Sequence, residues 1–424
     1  SYLGGSVTIP AGAASANIVV TPLFNRNYLA QATDTVTLTL AAGGYIAGSP
    51  DSGTVTITNW QPSAAVGTDV PRNFLAVSEE PLAGAETLLK TSAGQMILSS
   101  SAGHTFTGDI TVDTDGGILR VGGILGAIGG TGVTLPGMTA ANTITARRGG
   151  QLYIDDNATY NALGAVPTRF GTEGNRPAVK LEGGTLTLNG ANTANTVPQT
   201  FGPLTLDAGY NTLSANRNAG TPELVFPSVT QAKGSHVNFT GTSLGATAIN
   251  APHVRFTAPP ALAGGGGAAG TKTMSVIPGA RYGSEWVTYD PVSGVRPLAA
   301  AEYNTVANND VNAAGATENV KITGTTPTPF PTLSADKTVN SLNINVNASV
   351  SWTPTNKLTL TSGQLISGVQ NQQMVVQYPS TLTAGSGSDA SLDVSVFQNN
   401  TYLRSLITDN GSGIITLTKN GGGT

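Results

Sequence analysis

A short signature recurs along the chain: a glycine, one further residue, then two apolar positions separated by one more. It reads "AGQMIL" at Gly94, "GGILRV" at Gly117, "GGQLYI" at Gly150, "GGTLTL" at Gly184 and "SGQLIS" at Gly363. The first four copies lie 23, 33 and 34 residues apart. In an extended strand alternate side chains face opposite ways, so Leu186 and Leu188 share one face while Thr185 and Thr187 share the other. A glycine before such a strand permits the positive φ or the close backbone approach that a corner demands. One pass of this kind has an apolar face it cannot bury alone. Passes repeated at 20 to 45 residues bury it by stacking, which is the signature of a solenoid. The pattern therefore predicts an all-β fold, a β-solenoid, against the alternative of a β-sandwich with glycine-rich hairpins.

Composition agrees with the all-β reading. Charged residues are only 10% of the 424-residue chain, against about 25% in an ordinary soluble domain, while Gly and Pro number 54 and 24. Long surface helices need Glu, Lys and Arg on their wet face, and this chain has too few. Disorder needs low hydrophobicity with high net charge, whereas 39% of residues are hydrophobic and the net charge is only -4. With no basic run, nucleic acid is not an expected partner. Cysteine is absent, which removes disulfides, thiolate metal sites and cysteine nucleophiles together. No apolar run reaches the roughly 18 residues of a membrane span, and "SYLGGSVTIP" is not a charged-then-apolar leader. Any export signal or anchor is expected outside the 424 residues.

The last eight residues, "LTKNGGGT", have a near copy in "LLKTSAGQ" at Leu88 to Gln95, with Lys419 falling on Lys90 and Gly423 on Gly94. The ending thus reads as the opening of a repeat, whose next strand would come from a longer polypeptide or from a neighbouring copy. Residues 1–60 carry "SVTIPAGAASANIVVTPL", "DTVTLTLA" and "GTVTITN", three alternating strands. Residues 61–83 are expected as a linker, 84–251 as solenoid coils, 252–320 as an irregular insertion or edge-covering segment, and 321–424 as further coils. Within 252–320, "PPALAGGGGAAGTK" reads as a flexible loop.

The segment "VTIPAGAASANIVVTPL" followed by "TDTVTLTLAAGGYIAGSPDSGTVTIT" resembles the C-terminal part of a Calx-beta domain, an immunoglobulin-like sandwich of extracellular proteins. Calcium-binding members of that family place acidic residues in the loop written here as "FNRNYLAQATD", where this chain has Asp34 beside Arg26. From residue 84 onward, "LLKTSAGQMILSSSAGHTFTGDITVDTDGGILRVGG", "LEGGTLTLNGANT" and "SLITDNGSGIITLTKNGGGT" resemble bacterial proteins with autotransporter-associated β-strand repeats. That resemblance implies a right-handed parallel β-helix behind a partial immunoglobulin-like sandwich, in a bacterial surface or secreted protein. It implies no catalytic residue, cofactor or metal; the partners would be copies of the chain, flanking domains or surface polysaccharide.

The charges bear on chemistry because parallel β-helices also cleave polysaccharides, a reaction needing two facing carboxylates. The densest group is "ARRGGQLYIDDNATY", where Arg147, Arg148, Asp155 and Asp156 bracket one strand. It is either a saccharide groove or two polar turns flanking a core strand whose Leu152 and Ile154 point inward. Tyr282, Trp286 and Tyr289 in "GARYGSEWVTYDPVSGVRPL" are either a sugar-stacking platform or the small core of a segment covering a solenoid edge. Asp113 and Asp115 share one strand face but are too few to hold a cation. His104, His236 and His253 have no ligand-spaced neighbours, and His104 is expected exposed in a turn. No Gly-x-Ser-x-Gly elbow suggests a serine hydrolase.

Overall fold

The computed structural model describes residues 33–39, 49–58, 66–69, 75–78, 82–99, 104–122, 134–157, 169–191, 196–207, 209–248, 250–305, 311–324, 333–346, 350–352, 356–368, 374–376, 380–397 and 400–421. These residues are all-β; their helical segments are short 3-10 turns such as Ala300–Glu302 and Val311–Ala313.

From Val66 to Tyr282 the chain weaves between parallel sheets. It visits a seven-stranded sheet at Leu88–Thr91, Ile110–Val112, Thr143–Arg147, Ala178–Glu182, Leu204–Leu206 and Val229–Gln231. After each visit it crosses to a ten-stranded sheet, at Gln95–Leu98, Gly117–Val121, Gly150–Asp155, Thr185–Asn189, Tyr210–Asn216 and His236–Thr240. The strands Thr196–Thr200, Thr221–Phe226 and His253–Phe256 form a third parallel sheet. Strand order in each sheet follows chain order, so successive passes lie side by side.

The register stacks like on like. Met96 pairs with Leu119, Leu119 with Leu152, Leu152 with Leu186, Leu186 with Leu213 and Leu213 with Phe239. Every member of this column is at most 2% exposed. A column in the seven-stranded sheet runs Ile110, Ile144, Val179, Leu204, also buried. Full burial of such side chains stabilises by about 1.5–3 kcal/mol each, and a one-residue slip would turn a whole strand's apolar set outward.

The signature glycines serve mainly for close approach. At Gly184 a Cβ would lie 2.3 Å from the Ala146 carbonyl oxygen, and at Gly117 it would lie 2.3 Å from that of Gly94. Gly117 also has φ +63°, which disfavours any side chain.

The ten-stranded sheet ends on antiparallel strands. Ala280–Tyr282 pairs in parallel with His236–Thr240 and then antiparallel with Glu285–Asp290, which pairs antiparallel with Gly294–Pro297. A second set of parallel strands follows: Asn319–Gly324, Lys337–Val346 and Lys357–Ser367. The last of these pairs along its length with both Thr381–Ala384 and Ala390–Val396, which are continued by Leu406–Ile407 and Ile415–Asn420. Each set has its own apolar core, and Val276, Trp286, Leu298, Tyr303 and Ile366 pack between them.

Two expectations change. The 61–83 span contributes strands Val66–Asp69 and Leu75–Ser78, which pair in parallel with Leu88–Thr91 and Gln95–Leu98; sheet pairing begins ahead of residue 84. The glycine-rich run is tied down. Ala263 bridges Val276, Gly266 N donates to Ser275 Oγ at 3.0 Å, and Gly270 N donates to the buried Glu302 carboxylate at 2.9 Å. At the front, Thr33–Thr39 and Ser52–Thr58 pair antiparallel, while the first expected strand, "SVTIPAGAASANIVVTPL", lies outside the described residues.

Candidate functional site

The four residues nominated as a saccharide groove separate into two environments. Arg147 ends its strand on the surface, donating to Asp113 at 2.8 Å and to Glu182 at 3.1 Å. Glu182 and Asp207 in turn bind Lys180, so charges alternate from pass to pass along the outside. The bond from Arg147 holds the Asp113 carboxyl below its usual range. Arg148 is exposed beside it. Asp155 ends the strand Gly150–Asp155 and Asp156 follows it, about 17 Å of extended chain from the strand's start, and both are buried.

Their partners explain that burial. Asp155 accepts from the Arg120 guanidinium and from Asn189 Nδ2 at 2.8 Å. Asp156 accepts from the Arg169 guanidinium, itself fully buried, and from Gln199 Nε2 at 2.9 Å. Burial pushes the Asp156 carboxyl up, and Arg169 pulls it partly back. The carboxylates are thus bound in the protein interior, with Leu152 and Ile154 buried between them and the arginine corner.

The aromatic group is likewise internal. Trp286 is 1% exposed and packs between the two cores. Tyr289 extends a ladder of rings: Phe170 to Phe201 at 5.2 Å between centroids, Phe201 to Phe226 at 5.6 Å, Phe226 to Phe256 at 5.9 Å and Phe256 to Tyr289 at 6.0 Å. The Tyr289 hydroxyl accepts from Phe256 N at 2.9 Å and donates to Phe256 O at 2.5 Å. Tyr282, half-buried, donates to Gly241 O at 2.8 Å. Trp286, Tyr289 and Tyr282 are thus engaged in internal packing and backbone hydrogen bonds. The ladder itself had a sequence signal, since phenylalanines 170, 201, 226 and 256 lie 31, 25 and 30 residues apart, within the 23 to 34 range of the glycine signature.

One histidine also differs from expectation. His104 is buried, not exposed: its Nδ1 accepts from Leu82 N at 2.7 Å, and burial lowers its pKa to about 4, so it stays neutral. The turn that carries it is overlaid by neighbouring passes, with His104 N donating to Thr134 O and Thr105 N to Leu82 O. His236, also buried, lies 3.4 Å from Asp393, a residue 157 positions away. His253 Nδ1 is 2.8 Å from Ser293 O. Asp113 and Asp115 do not converge: Asp113 is held by Arg147, and Asp115 sits in a turn with φ 52°. Among the described residues no group of three or more His, Asp or Glu could hold a metal ion.

One surface keeps backbone pairing capacity. Ile415–Asn420 pairs on one side with Ala390–Val396, and no described strand pairs with its other side. Leu417 pairs with the fully buried Leu392 yet is 50% exposed, and Ile414 and Leu406 nearby are 60% and 58% exposed. At the other extreme, Val66–Asp69 and Leu75–Ser78 each pair on one side only among the described residues. No family model, curated protein or solved structure matches the chain. Among the described residues no helix is long and apolar enough to cross a membrane.

Proposed function

We propose that the chain is a structural, extracellular segment of a bacterial surface fibre, stalk or adhesin, and not an enzyme. In this reading the parallel sheets are the faces of a right-handed β-solenoid, and the Thr33–Thr39 and Ser52–Thr58 pair belongs to a partial immunoglobulin-like sandwich in front of it. The function is length and stiffness, supplied by backbone ladders and stacked side chains. The observation that carries it is the buried column Met96, Leu119, Leu152, Leu186, Leu213, Phe239, in which successive passes repeat one register. The absorption of Asp155 and Asp156 into interior ion pairs supports a non-catalytic role.

The half-paired strand Ile415–Asn420 offers hydrogen bonds and apolar side chains to another strand, the arrangement that invites strand addition. Its partner is either flanking chain or the Val66–Asp69 end of a second copy, giving head-to-tail growth. Electron microscopy of native material tests the structural reading: a continuous fibre with an axial repeat is expected, and discrete globules reject it. Sedimentation of the 424-residue chain tests self-addition. Wild type should associate as concentration rises and Leu417→Lys should not; a wild type that stays monomeric rejects growth by copies.

A further inference from the structure

A cavity of about 430 Å³ opens where the end of the first set of strands meets the second, a size within the roughly 300–1,000 Å³ of small-molecule sites. One side is apolar, formed by Val229, Phe239, Phe256 and Ile277. Other lining residues carry hydroxyls: Ser386 and Ser388 from the turn joining Thr381–Ala384 to Ala390–Val396, and Ser391 from the second of those strands.

The floor is built close around Gly279, whose φ is +66°. A Cβ there would lie 2.4 Å from Gln231 Nε2, 2.8 Å from Ser235 O and 3.6 Å from Asp393 Oδ2. Asp393 is 4% exposed; its Oδ1 accepts from the Thr418 hydroxyl and lies 3.4 Å from His236 Nε2. Its Oδ2 has no hydrogen-bond partner among the described residues, and the buried Ser235 Oγ has none either.

The neighbouring charges are committed elsewhere. His236 Nδ1 is 2.9 Å from Asn420 Nδ2, and burial with the nearby Arg281 charge lowers this imidazole to about 4, so it is neutral near pH 7. Arg281 bonds Gly283 O and the Tyr210 hydroxyl and lies over the Phe397 ring. Lys233 pairs with Asp389 at the rim, 3.4 Å away. The cavity therefore presents one buried carboxylate without a cationic partner, an orphan hydroxyl, a hydroxyl-rich wall and an apolar wall.

We propose that this cavity binds an amino sugar, with its ammonium group on Asp393, its ring hydroxyls toward the serine wall and its apolar ring face toward Phe239 and Ile277. A neutral sugar would leave the carboxylate uncompensated, and an anion would meet two carboxylates against one lysine. A plain alkylamine would leave the serines unanswered. The site requires only the two sets of strands packed as found, so it stands apart from the fibre reading above.

The test is calorimetric titration and saturation-transfer NMR of the full chain with glucosamine, with N-acetylglucosamine as the uncharged comparison, at about pH 7. Glucosamine should bind about tenfold more tightly than N-acetylglucosamine. Asp393→Asn should abolish that preference while the chain remains folded, and Ser388→Tyr, on the exposed turn, should block both ligands. Equal binding of the two sugars, a preference retained in Asp393→Asn, or no glucosamine signal at millimolar concentration each overturns the proposal.

Discussion

The ammonium of Lys90 donates to the carbonyl oxygen of Gly116 at 2.7 Å, joining one pass of the chain to the next. It also donates to Thr91 O at 2.6 Å and Ser92 O at 2.8 Å, and the side chain is fully buried. Lys90 pairs with Thr68 on one side and on the other opens onto a run of small or apolar partners, Val112, Ala146, Leu181 and Leu206. It is a buried cation made tolerable by three carbonyls at a corner. Lys419, its sequence counterpart, ends the column Val320, Leu342, Leu365, Val394 and is exposed, with one bond, to Gly421 O at 3.0 Å. Lys419 repeats the local bond to the second following residue and lacks the contribution that Gly116 makes to Lys90.

Lys90→Met keeps the aliphatic stem and removes all three donors, leaving buried carbonyls to lose their partner. Charged hydrogen bonds contribute about 1.5–3 kcal/mol each but are not additive, so a loss of about 3 kcal/mol is expected in urea unfolding. Lys419→Met should change stability by less than about 0.5 kcal/mol. Equal effects at the two positions would mean that the carbonyl cage contributes nothing.

Asp156 and Arg169 form a buried pair, so removing one partner strands the other charge. Arg169→Met should destabilise by about 3–5 kcal/mol. Asp156→Leu combined with Arg169→Met should recover much of that loss, because two apolar groups need no partners. A double-mutant cycle measures the coupling, and additive losses would contradict a direct pair.

The strands were legible because their signals are local. Alternation and a preceding glycine are readable within six residues, and Gly117–Val121, Gly150–Asp155 and Thr185–Asn189 fall where the signature puts them. The like-on-like register of Leu152 with Leu186 follows from the same repeat. The interior polar contacts were not legible, since they depend on which passes become neighbours. Asp156 reaches Gln199, 43 residues on, and His236 reaches Asp393 across two separate cores. Charges seven residues apart, Arg148 and Asp155, suggest a groove in the sequence because sequence distance says nothing about which end of a strand is covered.

The ring ladder runs through Phe226, which is fully buried between Phe201 and Phe256. Phe226→Ala removes a packed ring and both ring contacts, and should cost about 3–5 kcal/mol. Phe226→Leu, which keeps most of the volume, should cost less. Tyr289→Phe retains the terminal ring and loses its two backbone bonds, for about 1–2 kcal/mol. Thermal unfolding would rank these as Ala, then the two conservative changes; a neutral Phe226→Ala would show the ladder to be incidental.

His236 and Asp393 set opposite pH dependences at the junction. Burial raises Asp393 from 3.8 to about 6, against the Thr418 hydroxyl, and lowers His236 from 6.5 to about 4. The Asp393 contribution is full below pH 3.8 and is lost as pH rises through about 6. The His236 contribution is full above pH 6.5 and is lost as pH falls through about 4. The two nearly cancel, so wild-type stability from this pair should be level across that window. Asp393→Asn keeps the acceptor for Thr418 and removes the charge. It should therefore exceed wild type by about 2 kcal/mol near pH 7.5, with the gap closing toward pH 4. His236→Gln removes the opposing term, so its stability relative to wild type should improve as pH falls from about 6.5 to 4. Urea unfolding at several pH values reads both slopes, and an Asp393→Asn difference that does not vary with pH would refute the assignment.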